Sequence, residues 1–102
     1  MPSTKVKKAL DLWVKKLNKD DPQYRHHQVE AIWTYRNLEL TNLPLLKELL
    51  NCENHYARAA AAKQLRYWHG KTKDGNKLLG KAAKDPNGLV RMEAAIAIYF
   101  HL

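Results

Sequence analysis

Apolar residues recur every third or fourth position through almost the whole chain, and short polar, proline- or glycine-containing breaks divide them into six blocks. That period is the α-helical one, and no stretch alternates with the period of two that marks a strand. Val6, Leu10, Trp13, Val14 and Leu17 share one helical face, which predicts a first helix over 6–18 with Ser3 or Thr4 as its cap. Asp21 followed by Pro22 is a start signal for a second helix reaching Asn37, with Val29, Ile32, Trp33 and Tyr24 inward. Asn42 caps a third helix, which has Pro44 in its first turn, carries Leu43, Leu45, Leu46, Leu49 and Leu50 as its apolar residues, and stops near Cys52. Asn54 caps a fourth, alanine-rich helix over 55–68, thin enough for a neighbour to come close. After the loop-like segment 69–75, a fifth helix over 76–84 points Leu78, Leu79, Ala82 and Ala83 inward. Beyond the turn 85–88, a sixth runs from Leu89 to the chain end through Ala94, Ala95, Ile98 and Tyr99.

Six helices with short connectors make three antiparallel pairs, and the pairs repeat. At an offset of 33, Leu45-Leu46 and Leu49-Leu50 fall on Leu78-Leu79 and Ala82-Ala83. The same offset carries Ala57-Arg58 onto Val90-Arg91 and Ala61 onto Ala94. Towards the N-terminus the match weakens: Glu30-Ala31 resembles Glu93-Ala94, but Ala31 to Ala61 is 30 residues, so one connector differs in length. Asp85-Pro86-x-x-x-Val90-Arg91-x-x-Ala94 is a HEAT-type signature. In it Asp85 is expected to cap the last helix through backbone N–H groups. Arg91 is expected to lie across the turn onto a carboxylate or carbonyl of the neighbouring repeat, and Ala94 to admit the paired helix. Arg58 and Ala61 take the same parts in the middle repeat. The fold class is therefore all-α, an α-α superhelix of the armadillo/HEAT-like solenoid kind, in which repeats bury their apolar faces only against neighbours. Residues 1–102 read as one domain, a piece of a larger multidomain protein, because the last helix reaches Leu102 with no cap or polar face.

Charge adds a second theme. The chain carries a formal net charge of +8, concentrated in 5–19 and 63–84, with a slightly acidic stretch between. Lysines along helices commonly form a solvated face. The alternative is phosphate-backbone binding by Lys63, Arg66, Lys71, Lys73, Lys77, Lys81 and Lys84, with affinity that falls steeply with salt. No apolar run approaches a membrane span, and the basic N-terminus has no apolar h-region behind it.

Candidate chemistry is sparse. No two of His26, His27, His55, His69 and His101 have the three- or four-residue spacing of helical metal ligands. Cys52-x-x-His55 offers two ligands only, and the single cysteine cannot form an intrachain disulfide. No nucleophile–base pairing or phosphate-binding loop is present, so the residues imply no metal, no cofactor and no catalytic site. Trp13, Trp33 and Trp68 read as core or inter-repeat packing; of the three, Trp68, beside the long loop, is the candidate partner anchor.

The runs Ala9-Leu10-Asp11-x-Trp13-Val14 and Tyr24-x-His26-His27-x-x-Glu30-Ala31-x-Trp33 resemble the HEAT-repeat region of large haem-binding, dehydrogenase-like proteins of planctomycete-type bacteria. So do Leu45-Leu46-Lys47, Ala57-Arg58-Ala59-Ala60-Ala61, Leu65-x-Tyr67-Trp68 and the segment 85–100. The Val-Arg-x-x-Ala element is general to HEAT repeats; the His-His-x-x-Glu-Ala-x-Trp element is more specific. The resemblance implies a module set between a β-propeller-like dehydrogenase-type domain and a c-type cytochrome domain, in an exported, periplasmic or otherwise extracytoplasmic protein. This chain carries neither flanking domain nor the C-x-x-C-H haem motif, and Asn87-Gly88 replaces a bulkier pair. Only the scaffold role carries over, with flanking domains or a protein partner as its ligands. Nucleic acid is the runner-up, and a wall of a neighbouring domain's catalytic pocket the third reading.

Overall fold

A computed structural model describes residues 2–100, the side chains of Pro2, Ser3 and His69 excepted. It holds six α-helices: α1 (Pro2–Lys15), α2 (Tyr24–Asn37), α3 (Leu43–Leu50), α4 (His55–Trp68), α5 (Gly75–Ala82) and α6 (Gly88–Tyr99), with a 3-10 turn at His69–Lys71. Among the described residues there is no strand. The predicted all-α solenoid is the fold observed. The second helices α2, α4 and α6 pack in series, and α1, α3 and α5 each pack on their partner. The molecule is 18 Å in its thin direction, in keeping with two helical layers.

Local chemistry explains where the helices start. Asn42 accepts the Leu45 N–H at 3.0 Å, and Asn54 accepts those of Tyr56 and Ala57 at 2.9 and 3.2 Å, so both predicted caps close their helices. Two others differ. The helix predicted from Pro22 begins at Tyr24, because the Asp21 carboxylate bonds the Gln23 N–H at 2.8 Å and holds a tight turn first. Asp85 does the same with Asn87 at 2.9 Å, and it is Asn87 that caps α6 by accepting the Leu89 N–H. The first helix begins at Pro2, so Ser3 and Thr4 lie within it, not before it. The sixth ends at Tyr99; positions 101 and 102, including His101, lie outside the described residues.

α2 ends in a Schellman motif. The N–H of Leu40 bonds the carbonyl of Tyr35 at 2.8 Å and that of Glu39 bonds Arg36 at 2.9 Å. The geometry forces Glu39 to φ 57°, where glycine would normally sit.

The core runs along α2, α3 and α4. It is built from Ile32, Tyr35, Leu46, Leu49, Leu65 and Trp68, with Ala61 and Ala94 fully buried beside them. Alanines at 57, 59, 61 and 62 are all buried, which lets the central helix α4 be covered on several sides at once. Several residues predicted on an inward face are instead exposed: Val6, Trp13 and Trp33. A solenoid helix has one apolar stripe for its own pair and another for the next pair, and periodicity does not tell which is covered.

Candidate docking surfaces

The repeats are tied by an arginine seam along their turns. Arg58, at the start of α4, spans to the next repeat and grips Asp85 with Nε and Nη2 at 2.9 and 3.2 Å, while Nη1 bonds the Cys52 carbonyl at 3.0 Å. Arg91, 33 residues on, repeats the last contact, bonding the Asp85 carbonyl at 2.8 Å. The predicted reach to a neighbouring repeat is thus made by Arg58, while Arg91 bonds within its own turn. Sequence reasoning missed Arg25, which lies 33 residues before Arg58 and reaches Glu53 and Glu48 of the next repeat at 3.1 and 2.6 Å. The equal spacing 25, 58, 91 was the available signal, hidden by the shorter connector.

Electrostatics along the seam are those of structural ion pairs. Burial is the largest influence on the Asp85 carboxyl and pushes its pKa up. The Arg58 bonds, the Asn87 N–H and the nearby arginine charges together outweigh it, so the carboxyl lies below the ordinary range. The Glu48 carboxyl is lowered chiefly by its bond from the buried Gln28 amide, with Arg25 adding to it against burial. Tyr35, wholly buried, is pushed up to about 12 by burial and by its hydrogen bond to Asp11, which links α1 to α2. The Cys52 thiol is buried and pushed up, the opposite of an activated nucleophile. Among the described residues no group of three or more His, Cys, Asp or Glu side chains could hold a metal ion, and no helix is long and apolar enough to cross a membrane.

Of the grooves that open between the helices, two bear on the predicted docking surfaces. A groove of about 490 Å³ between α3 and α5 is rimmed by Lys47, Lys77, Lys81 and Lys84. Lys47 pairs with Asp74 at 2.9 Å and Lys81 bonds Asn51. Of the predicted phosphate ligands, Lys77, Lys81 and Lys84 lie here; Lys71 and Lys73 are exposed on the preceding connector. Arg66 is tied to Glu93 of the neighbouring helix at 3.1 Å.

The second groove, about 380 Å³, lies between α2 and α4 and is lined by His26, Val29, Trp33, Tyr56 and Ala60. Trp33 is 42% and Tyr56 68% exposed. Trp68 is not a partner anchor: it is 1% exposed, packed into the core at the end of α4. The exposed aromatic side chains are the ones that sequence reasoning had placed inside or passed over. Trp33 and Tyr56 come from different helices, so no local spacing pairs them.

Two-helix units stacked in series and tied turn to turn define an α-solenoid of the repeat-scaffold class. A family model for HEAT repeats matches residues 10–98, and the chain belongs to the HEAT-repeat family. HEAT repeats are typically non-catalytic and commonly serve as protein-interaction scaffolds. No curated protein and no solved structure matches the chain.

Proposed function

We propose that this chain is a non-catalytic docking scaffold that holds a protein partner in the groove between α2 and α4. The observation that carries the reading is the pair Trp33 and Tyr56, two large aromatic side chains held open on a preformed concave surface. Aromatic residues in such positions are the commonest anchors of protein interfaces. Arg25, with its stem in the same groove and its head on Glu53 and Glu48, keeps the floor rigid. His26 and Trp33, from the more specific part of the family resemblance, both line this groove. That supports the finer reading that the partner is a neighbouring domain of a larger extracytoplasmic, dehydrogenase-like, haem-binding protein.

The test is retention of separately made flanking domains, dehydrogenase-type and cytochrome-type, by the immobilised chain at low and moderate salt. One domain is retained at both salts, and replacing Trp33 and Tyr56 with alanine weakens it by about thirtyfold or more, the loss typical of anchor residues. Retention that ignores both substitutions, or none of either domain, overturns the reading.

A second reading rests on Lys71, Lys73, Lys77 and Lys84, exposed and without an ion pair among the described residues. These would contact a nucleic-acid backbone. Such binding loses affinity with a log–log salt slope of about −0.9 for each phosphate neutralised. Reversing the charges at Lys71, Lys73 and Lys77 removes it, and no shift of duplex or single-stranded DNA at low salt ends the idea.

A further inference from the structure

The groove between α3 and α5 has an apolar floor and a cationic rim. Both helices pack on α4, and Leu50, Leu78, Ala82, Pro86 and Val90 line the space of about 490 Å³ left between them. The rim on the α5 side is a row of three lysines. Lys77 and Lys81 stand four residues apart on α5, and Lys84 follows in the turn that ends it, so the row spans about 10 Å. No acidic residue lies on α5 to offset them, and like charges four apart destabilise a helix. The two carboxylates at the groove are already taken, Asp74 by Lys47 and Asp85 by Arg58, each at 2.9 Å. Lys77 acts on Asp74 only at longer range. Neither Lys77 nor Lys84 has an ion pair among the described residues, and Lys81 is bonded to the neutral side-chain oxygen of Asn51.

Repeat stacking does not require this row. At an offset of 33, Leu78 and Ala82 fall on Leu45 and Leu49, apolar in both repeats. Lys77, Lys81 and Lys84 fall on Pro44, Glu48 and Asn51. Packing of the repeats therefore accounts for the floor and leaves the cations unexplained. The complement of such a groove is a ligand with an apolar stripe for the floor and carboxylates beside it at the spacing of the row. A helix supplies both, because its residues four apart lie about 6 Å apart along the axis, as those of α5 do. A single-headed amphiphile meets one cation of the three, and a nucleic-acid backbone has nothing to place on the floor.

We infer that the groove between α3 and α5 takes an acidic amphipathic helix of a partner protein, its apolar residues seated on Leu50, Leu78 and Pro86 and its carboxylates on Lys77, Lys81 and Lys84. Charge complementarity identifies the occupant. The site is separate from the groove between α2 and α4, so it stands or falls independently of the docking function proposed above.

The experiment is fluorescence anisotropy of the full chain with a labelled synthetic helical peptide of about fifteen residues, the length at which an isolated helix begins to hold. It bears leucines at i, i+4 and i+7 and glutamates at i+1, i+5 and i+8. Binding should saturate at moderate salt. Changing the glutamates to glutamine, or the leucines to serine, should weaken it by about tenfold or more. The double variant Lys77→Glu, Lys84→Glu should lose affinity to a similar degree with its melting temperature unchanged, both positions being exposed. The same variant should bind a peptide with lysines in place of the glutamates better than the parent chain does. Duplex DNA should not displace the acidic peptide at equal concentration. No binding, binding that survives the serine peptide, displacement by DNA, or a charge-reversed peptide that fails to prefer the variant overturns the inference. A loss on Trp33→Ala comparable to that of the lysine variant places the peptide in the other groove and overturns it too.

Discussion

Replacing Arg58 with alanine removes three hydrogen bonds at once, two to the Asp85 carboxylate and one to the Cys52 carbonyl. The side chains of Arg58 and Asp85 are only 15% and 11% exposed, so the stranded carboxylate is poorly solvated. It keeps a single bond, from the Asn87 N–H. An exposed ion pair contributes about 0–1 kcal/mol, whereas breaking a buried one costs about 3–5 kcal/mol. The exposures place this pair nearer the second limit, and a loss of about 3 kcal/mol follows. Against a total stability of roughly 5–15 kcal/mol for a domain, that is a large share. Urea unfolding followed by circular dichroism reads it as a lower midpoint with unchanged slope. By heat, at roughly 4–8 °C per kcal/mol for a chain of this size, the melting temperature falls by more than about 10 °C. The cycle with Asp85→Ala assigns the loss to the pair: the double variant is less destabilised than the sum of the singles. A loss under about 0.5 kcal/mol, the size of an ordinary surface substitution, refutes the claim that the seam holds the repeats together.

Glu39→Gly relieves a left-handed residue and should stabilise the chain by about 1 kcal/mol, read in the same urea experiment. Ala61→Leu forces a larger side chain into the fully buried contact surface of α4 and should cost about 1–3 kcal/mol. Trp68→Ala should cost about 3–5 kcal/mol, whereas Trp33→Ala, at an exposed position, should leave the melting temperature nearly unchanged. Asp85 and Asp11 have pKa values lowered in the folded state, Asp11 chiefly by the Tyr35 hydroxyl. The folded state therefore binds fewer protons than the unfolded one in acid. The stability these groups contribute is complete above the ordinary carboxylate range and is lost as pH falls through their folded values. Acid titration of stability should show that loss, and Arg58→Ala should flatten it.

Much of the architecture was legible because helical periodicity and side-chain caps are local. Asn42 and Asn54 carry their cap signal within three residues. Asp21 and Asp85 carry the same signal, but a competing turn two residues on pushed each helix start later. Burial was less legible, because it depends on which neighbour arrives. Trp13 and Trp33 lie on helical stripes as regular as those of the core, yet no helix covers them. The seam was half visible: Arg58 and Arg91 stand out through the repeat, but the target of Arg58 sits 27 residues away and only folding reveals it. The groove between α2 and α4 could not be read at all, since it exists only where two exposed aromatic faces from separate helices are set side by side.

The most direct test of the docking account is amide and indole chemical-shift mapping of the labelled chain as a flanking domain is added. Shifts confined to the groove are expected, led by the Trp33 indole and the backbone around Tyr56 and Ala60, with Trp68 unmoved. Shifts centred instead on Lys77, Lys81 and Lys84, or none at saturating partner, contradict it.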